Sequence, residues 1–309
     1  MTMQFADIAR QAAADGAVSA EEILALRRAG WADGTMTPAE AEAVLALNDA
    51  LAERSPEWCD FFVEAIGEFV INGTAPKGYV SDENAAWLIA RLDRDGSLDS
   101  MAELELLVRV LERASDAPAS LKTYALAQIE QAVLTGTGPT RRGGELSPHC
   151  VSDAEAQLLR RVLFAAGGDA PAAVSRAEAE LLFRLKDASR GAPNGPEWKR
   201  LFVQGVGNYL QGLASPSAQI GRERAAELEA FMADHGSSVG RFLGRMAKAS
   251  PNAFRVVFGK KDAARDRFAE LAAAEQVTGE ESAWLDAQIH ADGEVDAYEQ
   301  ALLDFLAAE

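Results

Sequence analysis

The chain has 309 residues, 48% of them apolar, with a formal net charge of −18 and a pI near 4.7. That length and apolar content allow a sizeable core and exclude wholesale disorder, while the acidity repels phosphate backbones and excludes a broad nucleic-acid surface. Two cysteines, Cys59 and Cys150, are too few for a disulfide framework, and no apolar run reaches the length of a membrane span.

Residues 1–16 lack the apolar core of a signal peptide, so the expected compartment is the cytoplasm. Ala, Leu, Glu and Arg dominate the long segments, and no alternating β-branched run interrupts them. The expected fold class is all-α: a helical bundle of four repeated helix-turn-helix modules in two related halves. The first module opens at Val18-Ser19, has a second helix start at Met36-Thr37, and continues into an apolar helix over 57–71. The second opens at Val80-Ser81, restarts at Leu98-Asp99 and continues over about 120–134. The third opens at Val151-Ser152, restarts at Val174-Ser175 and continues over 197–211. The fourth opens at Val277-Thr278, restarts at Val295-Asp296 and stops, at Glu309, before its apolar helix.

Six of these starts place a cap residue three positions before a glutamate: Ser19 and Glu22, Thr37 and Glu40, Ser152 and Glu155, Ser175 and Glu178, Thr278 and Glu281, Asp296 and Glu299. In that spacing the cap oxygen takes an orphan backbone N–H while the glutamate reaches back to the cap. After Ser81, Ala85, Leu88, Ile89 and Leu92 make one apolar stripe at helical spacing. The helix over 57–71 is apolar almost all round, which places it at the centre of the bundle, with Gly67 and its counterpart Gly207 allowing close helix crossing. Trp58 and Trp198 belong to that core; the functional alternative is a ligand pocket that they line.

Two spacings set the domain organisation. Val80, Trp87 and Leu106 recur as Val277, Trp284 and Leu303, a spacing of 197 (277 − 80). Pro56-Glu57-Trp58 recurs as Pro196-Glu197-Trp198, a spacing of 140 (196 − 56). The difference requires an insertion of about 57 residues within 213–276. The expected division is an N-terminal half, 1–136, a linker, 137–150, and a C-terminal half, 151–309. The truncated fourth module leaves a place for its missing helix, which a helix from the insertion or from another chain is expected to fill.

Four turns read Asp-Gly: Asp15-Gly16, Asp33-Gly34, Asp95-Gly96 and Asp292-Gly293. Each matches the middle of an EF-hand loop, with glycine at the sharp turn, and Glu22, Glu40 and Glu299 fall where that loop keeps its closing carboxylate. The first half of the loop departs from the pattern. Gln11, Ala29, Arg91 and Gln288 stand at its first position, and Ala13, Trp31, Asp93 and His290 at its third. The fullest alternation is Asp93, Asp95, Ser97 and Asp99, with Ala102 in the closing place. One reading is a helix-connecting turn with an acidic cap. The other is a divalent-cation site, Ca2+ by donor chemistry, whose ligands are Asp93, Asp95, Ser97 and Asp99, with Asp15, Glu22, Asp33, Glu40, Asp292 and Glu299 in the other turns.

The recurring signature Ala14-Asp15-Gly16-Ala17-Val18-Ser19-Ala20-Glu21-Glu22 resembles that of the TerB-like helical domains, the family named for tellurite-resistance-associated proteins. The resemblance covers the repeat cores and not 213–276. It implies an α-helical bundle, acidic turns as candidate metal sites, and a setting near membrane or stress-response machinery.

The insertion has its own chemistry. Between Gly236 and Lys261 there is no acidic residue, but there are Arg241, Arg245, Lys248, Arg255, Lys260 and Lys261. Val239, Phe242, Leu243 and Met246 share one helical face, and Arg241, Arg245 and Lys248 another; Pro251 ends the pattern. Such a segment packs on the acidic repeats of its own chain, docks a protein partner, or lies on an anionic membrane surface.

No zinc-ligand spacing, phosphate-binding loop or nucleophile–base arrangement is present; His149, His235 and His290 are scattered, and Gly205 and Gly207 fall inside a helix. The leading functional expectation is a non-enzymatic interaction or scaffold protein with a protein partner and no nucleic acid. The alternatives are a cation-binding or sensing protein and an enzyme of unknown type.

Overall fold

The computed structural model describes residues 5, 7–11, 16–31, 34–94, 96–141, 148–167, 173–210, 279–291 and 293–307. Among these residues the chain is all-α, without strands. In order the helices are α1 (Ala20–Gly30), α2 (Pro38–Ala50), α3 (Pro56–Asn72), α4 (Asp82–Leu92), α5 (Met101–Arg113), α6 (Ala119–Thr135), a short 3-10 turn (Pro139–Arg141), α7 (Asp153–Leu163), α8 (Arg176–Ala188), α9 (Pro196–Leu210), α10 (Gly279–Ile289) and α11 (Ala297–Ala307). None of them is long and apolar enough to cross a membrane.

Local sequence sets the helix ends. Ser19, Thr37, Ser152 and Ser175 each cap a helix in a reciprocal bond with the glutamate three residues on. Asp296 and Glu299 exchange the same pair of bonds, 2.8 Å and 3.0 Å. Thr278 lies outside the described residues. Pro38, Pro56 and Pro196 stand at the first helical position, where the absent N–H costs nothing. One expected start is corrected. The second helix of the second pair is capped by Ser100, not Asp99, and Glu103 closes that box. Its carboxylate also accepts from the Asp99 backbone N–H at 2.7 Å, so both candidate caps are tied to one glutamate.

The helices lie in a continuous series of contacts: α2 on α3, α3 on α5, α5 on α6, α6 on α8, α8 on α9 and α9 on α11. α1 packs on α3, α4 on α6, and α7 on α6 and α9. One apolar cluster runs through them, from Phe5 to Leu302. α3 buries Trp58, Phe61, Phe62, Ile66 and Val70, as its all-round apolar character requires. Trp58 and Trp198 are both fully buried, so neither lines an open pocket.

Gly207 meets its expected role, since a Cβ there would fall 2.6 Å from the Phe305 ring. Gly67 does not: a Cβ would sit at 3.8 Å from Leu106, an ordinary contact. Beside α9, the α11 residues Leu303 and Leu306 are half-buried. The insertion expected to cover that end lies outside the described residues.

Candidate functional site

Of the expected metal ligands, Asp15, Asp33, Asp95 and Asp292 lie outside the described residues. Gly16, Gly34, Gly96 and Gly293 all have positive φ, the backbone that the Asp-Gly turns require. The remaining carboxylates already serve other groups. Glu22 Oε2 accepts from the Ser19 hydroxyl and N–H at 2.7 Å and 2.9 Å; those bonds, the hydroxyl foremost, hold its carboxyl below the ordinary range. Glu40 is buried and accepts the same two bonds from Thr37. Asp93 accepts from the Tyr124 hydroxyl at 3.1 Å. Ser97 donates to the Arg94 carbonyl, and Asp99 lies 4.0 Å from the Arg94 guanidinium.

Four capping glutamates do more, and each divides its two oxygens in the same way. Oε2 closes the local box, while Oε1 reaches a distant helix or turn. Glu103 Oε1 accepts from Asn48 of α2 at 3.2 Å. Glu155 Oε1 lies 2.8 Å from Arg141 and accepts from Thr140 at 2.7 Å. Glu178 Oε1 pairs with Lys122 of α6, and Glu299 Oε1 with Lys186 of α8, each at 2.6 Å. Without a cation, Glu103 is held above the ordinary carboxylate range, chiefly by burial.

Lys186 occupies the densest acidic site. Oxygens of Asp187, Asp296 and Glu299 lie within 4.8 Å of one another, a spacing that would suit a cation. The Lys186 ammonium already stands among them, at 2.7, 2.9 and 2.6 Å. Burial pulls its pKa down, but the three carboxylate bonds outweigh that and raise it. Asp296 is held below its ordinary range: burial opposes ionisation, and bonds from the Glu299 N–H, Lys186 and the Tyr298 N–H overcome it.

Asn48 and Lys186 are each the eleventh residue of their helix. Asn48 Oδ1 accepts from Trp58 Nε1 at 3.2 Å. The lysine offers no acceptor, and Trp198 Nε1 is buried without a hydrogen bond among the described residues.

The open surface features are three grooves. One, of about 510 Å3, lies between α3 and α5; a second, about 300 Å3, between α6 and α8; a third, about 560 Å3, between α9 and α11. Each is lined by the fourth, fifth, eighth and ninth residues of the first helix named: Cys59, Asp60, Val63 and Glu64 in α3; Lys122, Thr123, Leu126 and Ala127 in α6; Lys199, Arg200, Val203 and Gln204 in α9. Facing them are the fifth and ninth residues of the other helix: Glu105 and Arg109, Glu180 and Arg184, Ala301 and Phe305. Helical spacing alone carried the signal for this recurrence, but pairing each third helix with the following second helix requires the fold. The expected partner or membrane residues Arg241, Arg245, Lys248, Arg255, Lys260 and Lys261 lie outside the described residues.

No family model, curated protein or solved structure matches the chain.

Proposed function

We propose that this chain is a non-enzymatic interaction or scaffold protein of TerB-like type. In this reading four helix-turn-helix modules, in two related halves, form a short array whose inter-module grooves receive a protein partner. The observation that carries it is the recurrence of a groove at the same helix positions between α3 and α5, α6 and α8, and α9 and α11. Helix lengths of 11, 13 and 17, then 11, 13 and 17, then 11, 13 and 15 residues support the modular reading. Stacked helical repeats use such shared surfaces for binding, because each groove is built by two neighbouring units. The Ala14–Glu22 signature supports the family assignment.

Thr123 and Ala127 are exposed at the α6–α8 groove, so charge placed there blocks a ligand without entering the core. The full chain is purified from its native host beside the Thr123→Arg/Ala127→Arg double variant, and proteins that co-purify are quantified by mass spectrometry. The reading requires a stoichiometric partner that the double variant, or the equivalent Arg200→Glu variant at the third groove, loses. A partner retained by both variants and by Asp60→Lys at the first groove would defeat it.

A further inference from the structure

We propose that the groove between α3 and α5 binds a basic amphipathic helix. The inference rests on the interaction reading above and narrows it to one groove and one ligand chemistry. The seventeen residues of α3 include Glu57, Asp60, Glu64 and Glu68 along one face, and no lysine or arginine. Glu64 pairs with Arg27 at 2.7 Å, and Glu68 lies 4.0 Å from Arg113. Glu57 and Asp60 are exposed and have no ion pair among the described residues. The acidity belongs to this groove alone. The positions matching Asp60 and Glu64 are Thr123 and Ala127 in α6, and Arg200 and Gln204 in α9.

Beside those carboxylates the groove offers an apolar surface. Met101, at its edge, is 40% exposed, one of three large apolar side chains so exposed among the described residues. Cys59 and Val63 lie next to it. Polarisable sulfur-bearing side chains accept aliphatic groups of varied shape, and a helix laid in a groove presents such groups at i, i+3, i+4 and i+7. An anionic rim selects ligands whose flanking positions are lysine or arginine, and like charge repels acidic helices. The two unpaired carboxylates and the exposed methionine together therefore specify an apolar stripe with basic flanks.

The chain's own sequence provides a probe of that composition. Residues 236–261 contain no acidic side chain and six basic ones. A synthetic peptide of this sequence is added to full-length protein carrying Arg241→Glu, Arg245→Glu and Lys248→Glu, which removes competition from the same segment within the chain. Cys59 is the built-in reporter: it is half-buried in the groove, and burial, foremost, pushes its thiol pKa up, so a disulfide reagent is used at mildly alkaline pH. The only other cysteine, Cys150, is buried and reports on global unfolding.

The peptide is expected to slow Cys59 modification saturably, by about tenfold, corresponding to about 1.4 kcal/mol of protection. Glu57→Lys/Asp60→Lys, both at exposed positions, should abolish the slowing, as should high salt. An unchanged Cys59 rate with peptide, or slowing that survives the double charge reversal, overturns the proposal. If protection fails while groove-dependent co-purification persists, the ligand assignment falls and the interaction reading stands. If protection is seen but no native partner depends on any groove, the interaction reading falls.

Discussion

The ammonium of Lys186 lies 2.6 Å from Glu299 Oε1, and the two side chains are 2% and 1% exposed, although 113 residues separate them. Substituting Lys186 by methionine keeps the apolar stem and removes the charge. Asp296 and Glu299 would then share a buried site without a counter-charge, a situation that costs about 3–5 kcal/mol when one partner of a buried pair is removed. Urea unfolding of the full chain should show that loss. The three acidic oxygens should then recruit a cation, so Ca2+ should raise the melting temperature of Lys186→Met over its value in EDTA. A variant as stable as the parent would show that the pair contributes nothing net.

The same cluster fixes a pH dependence. The pKa of Asp296 is depressed in the folded chain, so its contribution is present above the ordinary carboxylate range and lost as pH falls through it. Lys186 is raised, so its contribution is complete below its ordinary value of 10.5 and lost as pH climbs through the elevated value. Glu103 opposes the acid limb: its raised pKa means that protonation favours the fold. Melting temperature against pH should therefore fall below about pH 4 and again above about pH 10.5, from the ordinary carboxylate and lysine values. Lys186→Met should flatten both limbs.

Gly67 and Gly207 occupy matching positions but face different neighbours. Alanine at 67 adds a methyl at ordinary distance from Leu106 and improves helix propensity, so Gly67→Ala should stabilise by up to about 1 kcal/mol. Alanine at 207 drives into the Phe305 ring, and Gly207→Ala should cost about 1–3 kcal/mol as α11 shifts away. Equal effects at the two sites would contradict the packing described for α9 and α11.

At the start of α5, Ser100→Ala removes the side chain that caps Glu103 N–H and should cost about 1 kcal/mol, whereas Asp99→Ala should cost less than about 0.5 kcal/mol. Thermal melts of the two variants decide which residue is the cap.

That helix start also shows how far sequence reasoning reaches. The alternation of Asp93, Asp95, Ser97 and Asp99 drew the boundary to Asp99, yet Ser100-Met-Ala-Glu103 has the spacing of a capping box and was available to be read. Helix class, most starts and the central place of α3 follow from local pattern, because capping and amphipathicity act within a few residues. The cross-links do not. Lys122, Arg141 and Lys186 are buried, but a basic residue on an amphipathic segment looks the same whether it meets water or a carboxylate from a helix far along the chain. The two-helix grooves were hidden for the same reason: half of each comes from a helix that sequence proximity does not identify.

The divided carboxylates have a mechanical consequence. Glu103, Glu155, Glu178 and Glu299 each hold their own helix start with one oxygen and a remote element with the other. Fraying of any one of these first turns would swing the carboxylate and release the remote contact too. Amide protons at the starts of α5, α7, α8 and α11 should then exchange in step with those of the elements that they grip, rather than as independent helix ends. Strain applied at one groove would pass along the chain of helices as a sequence of rigid hand-holds.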